Sequence, residues 1–477
     1  MTGAPPVELA VRDVAAITGG AVTQGDAQAV VRGAAIDSRA VAPGMLFVAL
    51  VGGRTDGHRF VAEAFRRGAA AALVSDGVPG VPRGGALIRV PDPLRAFQGL
   101  ARAMRDRRAL RVVGITGSVG KTSTKELAAE VVGQAFRTAR SPENWNTEIG
   151  IPLVLVNLPC DREVAIVELA MRGPGQIREL VEIARPEIGV ITNIGESHMD
   201  FFESRERLAA AKGELLEGLP PEGVAIVNAE DPLAMGQLRA SPARPLTFGL
   251  ANGDVTAEAI EAHPGRGSTF WLRVPGGRAA VSLRIPGRHA VRNALAAAAV
   301  GQALGLPAEA IAVGLSRATP LPMRLEVRRT GEITVLNDAY NSSPQSVEAA
   351  LDLMDELAGA PRIAVLGDMK ELGALSSEAH RRAGHLAAGR RLDLLVAFGP
   401  LAHDLAAAAR EGGMRVVHTT DLEEVLTILR RDVRPGAVVL VKGSRAMAME
   451  RITSALETLG GTGGRIGHDV YAPEPAK

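Results

Sequence analysis

The chain lacks the features that mark secreted, membrane-spanning and nucleic-acid-binding proteins. It has a single cysteine, Cys160, so an intrachain disulfide is impossible and a reducing compartment is expected. The formal net charge is only +1, which gives no electrostatic reason to expect nucleic acid or a membrane surface as a partner. No run approaches the roughly 18 apolar residues of a membrane span, and the opening "MTGAPPVELAVRD" does not resemble a signal peptide. We therefore expect a cytoplasmic protein without stable membrane insertion.

The chain is long, and its sequence pattern predicts a regular alternation of strands and helices. Its 477 residues exceed one ordinary hydrophobic core, so several domains are expected. Short apolar runs bounded by turn residues alternate with amphipathic stretches, a pattern typical of α/β domains with mostly parallel sheets. We predict a mixed α/β domain over residues 1–108, a central domain over 109–318 and a third over 319–460. Pro320 and Pro322 mark the second linker, and the Gly- and Pro-rich tail 461–477 is expected to be disordered.

Individual strands and helices of the first and third domains are predicted from short segments of the sequence. In the first domain "GMLFVAL" and "AAALVS" predict strands, and "HRFVAEAFRRG" and "PLRAFQGLARAMRDRR" predict helices. In the third domain "ITVLNDAY", "RIAVLGDM", "DLLVAFG" and "AVVLVKGS" predict strands of a small doubly wound sheet. No G-x-G-x-x-G follows any of them, so this Rossmann-like domain is predicted to lack a dinucleotide site. "NLPCDRE" is interpreted as a loop after a strand, which makes Cys160 a poor nucleophile.

The stretch "VVGITGSVGKTSTKE", residues 112–126, predicts a phosphate-binding loop. It places a glycine turn between an apolar strand and a helix, where backbone N–H groups can turn toward a phosphate. A lysine there reaches the β/γ oxygens, and the following hydroxyl is a magnesium ligand. The strict pattern misses by one position, because Gly114 lies six residues before Gly120, and an ordinary glycine turn with a solvated lysine is the alternative. The predicted nucleotide contacts are Gly117, Ser118, Val119, Gly120, Lys121, Thr122 and Ser123.

Two strand ends suggest a metal site near this loop. Glu168 ends the strand "VAIVEL", and His198 follows the strand "IGVITNI". The carboxyl ends of neighbouring parallel strands meet at one edge of a sheet, where α/β proteins bind ligands. Mg²⁺ prefers oxygen, so Thr122 and Glu168 suit it better than His198, which could equally be a hydrogen-bonded structural residue. Lys212 in "RLAAAKGELLEGL" could be a solvated lysine paired with a neighbouring glutamate.

Taken together, these motifs resemble the Mur ligases, the ATP-dependent amide-bond-forming enzymes of peptidoglycan precursor synthesis. The resemblance runs from about residue 8 to residue 458, and "TGSVGKTS" matches the short phosphate loop of that family. "AAIDSRAVAPGMLFVALVGGRTDGHRF" resembles its uridine-nucleotide domain. Further motifs follow the pattern of members that add D-alanyl-D-alanine: "GKTSTKE", "NTEIGIPL", "ELAMRGPGQI", "TNIGESHMDFF", "NDAYNSSPQS", "GDMKELG" and "VKGSRAMAME". The Ser-Ser-His and Asp-Asn-Pro-Arg signatures of the members that add the third residue are missing from the expected places.

The resemblance implies roles for individual residues. Lys121, Lys212 and His198 are implied as catalytic groups. The implied cofactors are ATP and two magnesium ions, and the implied metal ligands are Thr122, Glu168, His198 and a carbamylated Lys212. Asn293, Arg324 and Asp338 are implied to complete the ATP site. The residues implied to bind the other substrates are Ser38, Arg39, Asp56, His58, Asn146, Glu148, Tyr340, Asn341, Lys442, Ser444 and Arg445. A capped turn is the alternative for the Asp-Ser-Arg segment.

The sequence departs from the family pattern at two positions. Ala290 stands where an Asn usually follows the histidine, and Thr147 replaces an Asn beside Asn146. Neither change removes a predicted catalytic group. The implied activity is a monomeric ligase that joins D-Ala-D-Ala to UDP-N-acetylmuramoyl-tripeptide through an acyl phosphate. The alternatives are a ligase of the same family with another acceptor, and a nucleotide-dependent switch that ligates nothing.

Overall fold

The computed structural model describes residues 4–53, 55–76, 78, 81, 84–142, 144–197 and 199–460. His198 and the predicted tail at 461–477 therefore lie outside the described residues. Three large sheets follow one another along the chain, each covered by helices, as the alternating pattern predicts. Among the described residues, no helix has both the length and the apolar character needed to cross a bilayer.

The first sheet is small and nearly parallel. Its strand order is β2-β7-β6-β5-β4, with only β2 antiparallel to its neighbour, and β1 pairs with β3 beside it. The predicted strands and helices of this domain are confirmed. Its elements are β1 (Glu8–Ala10), α1 (Val11–Thr18), β2 (Ala21–Gln24), β3 (Val30–Arg32), β4 (Ala34–Ala35), β5 (Leu46–Val48), α2 (Val61–Arg66), β6 (Ala71–Val74), β7 (Ala86–Arg89) and α3 (Pro93–Asp106).

The second sheet is entirely parallel, in the order β13-β12-β11-β8-β10-β9. Its inner strands β10 and β11 are buried along their whole length, which explains why they read as continuous apolar runs. The elements are β8 (Arg111–Thr116), α4 (Lys121–Val132), β9 (Thr138–Arg140), α5 (Gly150–Asn157), β10 (Val164–Glu168), α6 (Gln176–Ala184), β11 (Ile188–Ile191), α7 (Arg205–Glu217), β12 (Val224–Asn228), α8 (Pro232–Gly236), β13 (Arg244–Phe248), α9 (Arg288–Ala303) and α10 (Ala308–Arg317).

Two features of this region differ from the sequence prediction or go beyond it. The segment before "NLPCDRE" is helix α5 and not a strand, so Cys160 follows a helix. A short, mostly apolar run of eight residues carries no periodicity that separates a buried helix from a buried strand. The helix is buried against α3 and α6, and it joins the cores of the first and second domains. The second domain also carries an antiparallel sheet of β14 (Thr256–His263), β15 (Gly267–Val274) and β16 (Gly277–Leu283).

The third sheet has the order β17-β18-β22-β19-β20-β21 and is parallel except for β17. All four strands predicted for this domain are confirmed. The elements are β17 (Glu326–Thr330), β18 (Ile333–Asp338), α11 (Pro344–Glu356), β19 (Arg362–Gly367), α12 (Ser376–Ala388), β20 (Leu394–Phe398), α13 (Ala402–Glu411), β21 (Val416–Thr419), α14 (Leu422–Asp432), β22 (Val438–Lys442) and α15 (Glu450–Gly460). Residues after β8, β10, β18 and β22 face one cavity of about 600 Å³ between the second and third domains.

Candidate active site

The turn between β8 and α4 requires its two central glycines. Gly117 and Gly120 have φ angles of +146° and +85°, which side-chain-bearing residues rarely adopt. A Cβ on Gly117 would lie 1.9 Å from Oγ1 of Thr192, and one on Gly120 would lie 2.5 Å from Oδ1 of Asn293. The turn is therefore packed tightly, with its backbone and the N-terminus of α4 directed toward the cavity.

The neighbouring strand β11 holds the turn in place. The carbonyl of Val119 accepts hydrogen bonds from Thr192 Oγ1 at 2.7 Å and from Asn193 Nδ2 at 3.0 Å, and Val119 N donates to Asn193 Oδ1 at 3.0 Å. Ser118 Oγ accepts from Gly195 N at 2.8 Å. Sequence reasoning missed Thr192 and Asn193. Their signal was their position, since polar residues directly after a buried parallel strand lie at the ligand-binding edge of the sheet.

Two lysines converge beneath the turn. Lys121 Nζ donates to the carbonyl of Gly117 at 2.8 Å, and Lys212 Nζ donates to the same oxygen at 3.1 Å. Burial lowers the pKa of Lys212 well below its ordinary value, and the charge of Lys121 lowers it further. Burial likewise lowers the pKa of Lys121, partly offset by Glu168. Lys212 is 2% exposed, so the alternative of a solvated ion pair is wrong.

A hydroxyl and a carboxylate meet where the metal site was predicted. Thr122 Oγ1 donates to Glu168 Oε2 at 2.7 Å, and Asn146 Nδ2 donates to Glu168 Oε1 at 2.9 Å. A hydroxyl and a carboxylate suit Mg²⁺, which also retains water. Within the described part of the chain, no three His, Cys, Asp or Glu side chains form a group able to hold a metal ion. The predicted ligand His198 lies outside the described residues, so the structure does not place it.

The linker into the third domain brings Arg324 to the phosphate loop. Arg324 Nη2 donates to Thr122 Oγ1 at 3.0 Å, while its guanidinium carbon lies 3.9 Å from the ring centroid of Tyr340. The two residues flanking Arg324, Met323 and Leu325, have φ angles of +58° and +51°. This backbone is unusual for residues with side chains, and it turns Arg324 toward the cavity.

Asp338 and Lys442 form a buried pair at the ends of β18 and β22. Lys442 Nζ lies 2.5 Å from Asp338 Oδ2 and donates to the carbonyl of Asn341 at 2.8 Å. Asp338 Oδ1 accepts from Leu325 N at 3.0 Å, which ties the linker to the sheet. The predicted residues Tyr340, Asn341, Lys442 and Arg445 line the cavity. Ser444 is buried behind it, where its hydroxyl accepts from a backbone N–H.

A smaller cavity of about 130 Å³ adjoins the phosphate loop and extends between α4 and α9. Ser123, His289, Ala290, Asn293 and Arg324 contribute to its walls. Burial lowers the pKa of His289 to about 4, so the imidazole is neutral at physiological pH. Because Ala290 has only a methyl group, it supplies no polar side-chain contact here, unlike the Asn of the family pattern. The pocket has the size and position for a nucleotide base.

The predicted first-domain residues lie apart from this cavity. Asp37 caps the turn by accepting from Arg39 N at 2.9 Å, and it also pairs with the Arg39 guanidinium. The capped-turn alternative therefore describes the local structure of the Asp-Ser-Arg segment, in which Ser38 Oγ donates to Glu63 at 3.2 Å. Asn146, Thr147 and Glu148 of the second domain do line the cavity.

Asp56 and His58 are joined within a second capped turn. His58 Nε2 accepts from Ser75 N at 3.0 Å, so the proton of a neutral ring lies on Nδ1, 2.6 Å from Asp56 Oδ1. This fixes the tautomer of His58 and the orientation of its ring.

Comparisons with known proteins agree with this arrangement. The Mur ligase family catalytic domain matches residues 30–105, the Mur ligase middle domain matches 115–301, and the Mur ligase glutamate ligase domain matches 323–445. The chain belongs to the Mur ligase family, and it is an ATP-dependent ligase that acts on small-molecule substrates.

The chain is similar, over nearly its whole length, to family members that are named as ligases of D-alanyl-D-alanine. The chain is 37% identical over 433 residues to the UDP-N-acetylmuramoyl-tripeptide–D-alanyl-D-alanine ligase of Bacillus subtilis, covering 90% of this chain and 94% of the relative. It is 36% identical to the Escherichia coli enzyme of the same name, covering 89% and 93%. The crystal structure of MurF from Acinetobacter baumannii superposes with a TM-score of 0.88 at 31% identity, covering 95% of this chain and all of that one. The MurF ligase of Thermotoga maritima in complex with ADP gives 0.80 at 29% identity, covering 90% and 97%.

Proposed function

We propose that the chain joins D-alanyl-D-alanine to UDP-N-acetylmuramoyl-tripeptide at the expense of ATP. The observation that carries this proposal is the single cavity into which the phosphate loop, Glu168, Arg324 and the Asp338–Lys442 pair all project. One side of that cavity is formed by the phosphate loop, and another is formed by third-domain residues that include Tyr340 and Arg445. The names of relatives that align over nine-tenths of the chain support the choice of substrates.

The reaction has two chemical steps. The terminal carboxylate of the tripeptide attacks the γ-phosphorus of ATP, the bond to the bridging oxygen breaks, and ADP and an acyl phosphate form. The amine of the dipeptide then attacks the acyl carbon, the bond to phosphate breaks, and the amide forms with loss of a proton. Phosphoryl transfer depends chiefly on positioning and on neutralising the charge of the phosphate.

The residues of the site match the first step. The phosphate-loop amides and Lys121 contact the phosphate oxygens and stabilise the charge that is transferred. Arg324 reaches the same place from the third domain, since it already bonds Thr122. Asn293 and the neighbouring small pocket receive the base, and Asp338 holds the linker through Leu325. Closing the two domains on ATP would therefore assemble the site.

The oxygen donors of Thr122 and Glu168 fit Mg²⁺, and His198 would complete this set. Bound there, the ion would neutralise phosphate charge. A neutral, buried Lys212 amine is the form that reacts with CO₂, and the resulting carbamate would present an anion to a second ion. We propose both features for this chain, with Lys121, Lys212 and His198 as its catalytic groups.

Substrate binding is proposed to follow the three domains. Residues 1–108 would bind the uridine nucleotide through Ser38, Arg39, Asp56 and His58, residues 109–318 would bind ATP, and residues 319–460 would bind the dipeptide. Asn146 and Glu148 face the tripeptide side of the cavity. Tyr340, Asn341, Lys442 and Arg445 face the dipeptide side, where the planar guanidinium of Arg445 suits a carboxylate. Ser444 would act through the loop that it supports. We propose a monomeric, cytoplasmic enzyme.

Phosphate release provides the test. The chain is incubated with ATP, Mg²⁺, UDP-N-acetylmuramoyl-tripeptide and D-Ala-D-Ala, and each component is omitted in turn. The proposal expects release only in the complete mixture or, more slowly, without the dipeptide. Release that depends on a different amine would point to another acceptor, and release that needs neither carboxylate nor amine would point to a nucleotide switch.

A further inference from the structure

A buried lysine that the proposed reaction does not use lies one turn into the phosphate-loop helix. Lys125 is completely buried in α4, three residues after Thr122, and its Nζ lies 3.1 Å from Oε1 of the neighbouring Glu126. Removing an ammonium group from water is costly unless the group is paired and hydrogen-bonded. The contacts of this ammonium group show which part of the site it supports.

The lysine reaches the edge strand of the central sheet. Lys125 Nζ donates to the backbone carbonyl of Ser141 at 2.6 Å. Ser141 directly follows β9 and is itself fully buried, so the contact is shielded from solvent. In a low-dielectric interior, a charged donor makes a stronger hydrogen bond than it would in water. The bond therefore fixes the end of β9 against α4.

Ser141 connects this contact to the end of β10. Its backbone N–H donates to the carbonyl of Ile166 at 3.0 Å, and its Oγ accepts from the N–H of Glu168 at 3.2 Å. These two bonds hold the last residues of β10 on both sides of Val167. Glu168 is the carboxylate that, together with a hydroxyl of α4, is proposed to bind Mg²⁺. Lys125 is thus connected to Glu168 through one intervening residue.

The same serine begins the connection that carries part of the cavity wall. Asn146 and Glu148 follow it and line the cavity, and Asn146 Nδ2 donates to Glu168 Oε1 at 2.9 Å. Thr122 Oγ1 donates to the other carboxylate oxygen at 2.7 Å. The Glu168 carboxylate is therefore oriented by α4 on one side and by the residues after β9 on the other. Its backbone and those residues both depend on the position of Ser141.

We propose that Lys125 is a positioning residue, which sets the metal-binding carboxylate of Glu168 relative to the phosphate loop. This inference rests on the proposed ATP and magnesium site and adds a residue that supports it from within the second domain. Residues that orient a metal ligand change metal affinity by about 10- to 100-fold when they are replaced. Loss of the ammonium group should therefore weaken the magnesium-dependent part of nucleotide binding and leave the metal-independent part unchanged.

Nucleotide binding with and without the metal tests this role apart from catalysis. The probe is the β,γ-imido analogue of ATP, which keeps all the phosphates and is not cleaved. Its dissociation constant is measured by calorimetry in Mg²⁺ and in EDTA for the unmodified chain, Lys125→Met and Arg137→Met. Arg137 is the matched control, because it pairs with Glu163 at 3.5 Å where β9 and β10 begin, at the far end of the same two strands.

Magnesium should strengthen binding of the analogue by the same factor in the unmodified chain and in Arg137→Met. In Lys125→Met that factor should fall about tenfold or more, while the dissociation constant in EDTA stays within about twofold of that of the unmodified chain. An unchanged factor in Lys125→Met would overturn the proposal. Equal weakening in Mg²⁺ and in EDTA would also overturn it, because that result would indicate a distorted phosphate loop.

A second substitution tests the route through Ser141. Ser141→Ala keeps the carbonyl that Lys125 contacts and removes only the hydroxyl that accepts from Glu168 N, so it carries the test even if Lys125→Met does not fold. The magnesium factor should fall in Ser141→Ala, and the double variant should lose no more than about twofold beyond Lys125→Met alone. Losses that multiply in the double variant, or no loss in Ser141→Ala, would overturn the proposal.

The measurements also separate this role from the proposed function. If magnesium did not strengthen binding of the analogue to the unmodified chain, the proposed metal site would fail, and the role of Lys125 would fail with it. If the metal dependence were as expected but no amide formed from the tripeptide and the dipeptide, only the proposed ligase reaction would fail.

Discussion

Nη2 of Arg324 lies 3.0 Å from Oγ1 of Thr122, so a linker residue of the third domain touches the first turn of the phosphate-loop helix. The same hydroxyl donates to Glu168, so its lone pairs are available to accept from the guanidinium. The stacking of Arg324 on Tyr340 holds the charge in this place. The phosphate loop and the third domain are therefore linked through one side chain.

Replacing Arg324 should slow the reaction without unfolding the protein. Arg324→Lys keeps a charge but loses the planar donor set, and hydrogen bonds to charged groups contribute about 1.5–3 kcal/mol. We expect kcat/KM for ATP to fall roughly 10- to 100-fold. The exposed Arg329→Lys on β17 is the control and should behave like the unmodified chain. Equal effects of the two substitutions on steady-state kinetics would contradict this role.

The sequence predicted the sheets well because their strands are buried. The continuous apolar runs of β10 and β11 and the polar residues after them identified both the parallel sheet and the edge that carries the site. Helix α5 was misassigned because its side chains are apolar all round, so that only its packing against α3 and α6 distinguishes it from a strand. Asn193 was missed because its function depends on a carbonyl 74 residues away in the chain.

Lys212 also shows what sequence could not settle. Neighbouring glutamates suggested a solvated ion pair, yet the folded chain buries the amine against the Gly117 carbonyl. The resemblance implies the functional role, and the burial that lowers the pKa of this amine arises only from tertiary packing.

Substitution of Lys212 should separate charge from function. Lys212→Met removes an ionisable group from a buried site, so we expect an unchanged or higher melting temperature and an activity loss of about 100-fold or more. Lys212→Arg should lose both activity and stability, because a guanidinium stays charged when buried. Carbon-13 NMR after incubation with labelled bicarbonate should show a carbamate signal in the unmodified chain that is missing from Lys212→Met. A signal in both proteins would contradict carbamylation at Lys212.

The ion pair between Arg382 of the third domain and Glu196 of the second should favour the closed arrangement. Exposed pairs contribute about 0–1 kcal/mol, so Arg382→Ala should raise the KM for ATP up to about fivefold, and less at high salt. The adjacent Arg381 pairs with Glu411 inside the third domain at 2.8 Å, which makes Arg381→Ala the matched control. Small-angle scattering with nucleotide should show a larger radius for Arg382→Ala only. Identical radii of gyration for the two variants would show that this ion pair does not stabilise the closed arrangement.

His289 should make stability depend on mild acid. Its pKa is about 4 in the folded chain, because of burial, and near 6.5 when unfolded. Between these values the unfolded chain binds more protons, so stability falls as the pH drops through this window and is fully present above it. The ring keeps some solvent access through the cavity, so we expect a loss of about 1–2 kcal/mol between pH 8 and pH 5. Urea unfolding should show a smaller loss in His289→Gln. An equal loss in both proteins would assign the pH dependence to other groups.

The central claim is that phosphate bound at this cavity activates a carboxylate for amide formation. The most direct measurement is the mass of the product formed from UDP-N-acetylmuramoyl-tripeptide, D-Ala-D-Ala and ATP, compared with the product of Lys121→Met. The account predicts a product heavier than the tripeptide substrate by one dipeptide less one water, formed in step with ADP and lost in the variant. ATP turnover with the tripeptide mass unchanged would contradict it.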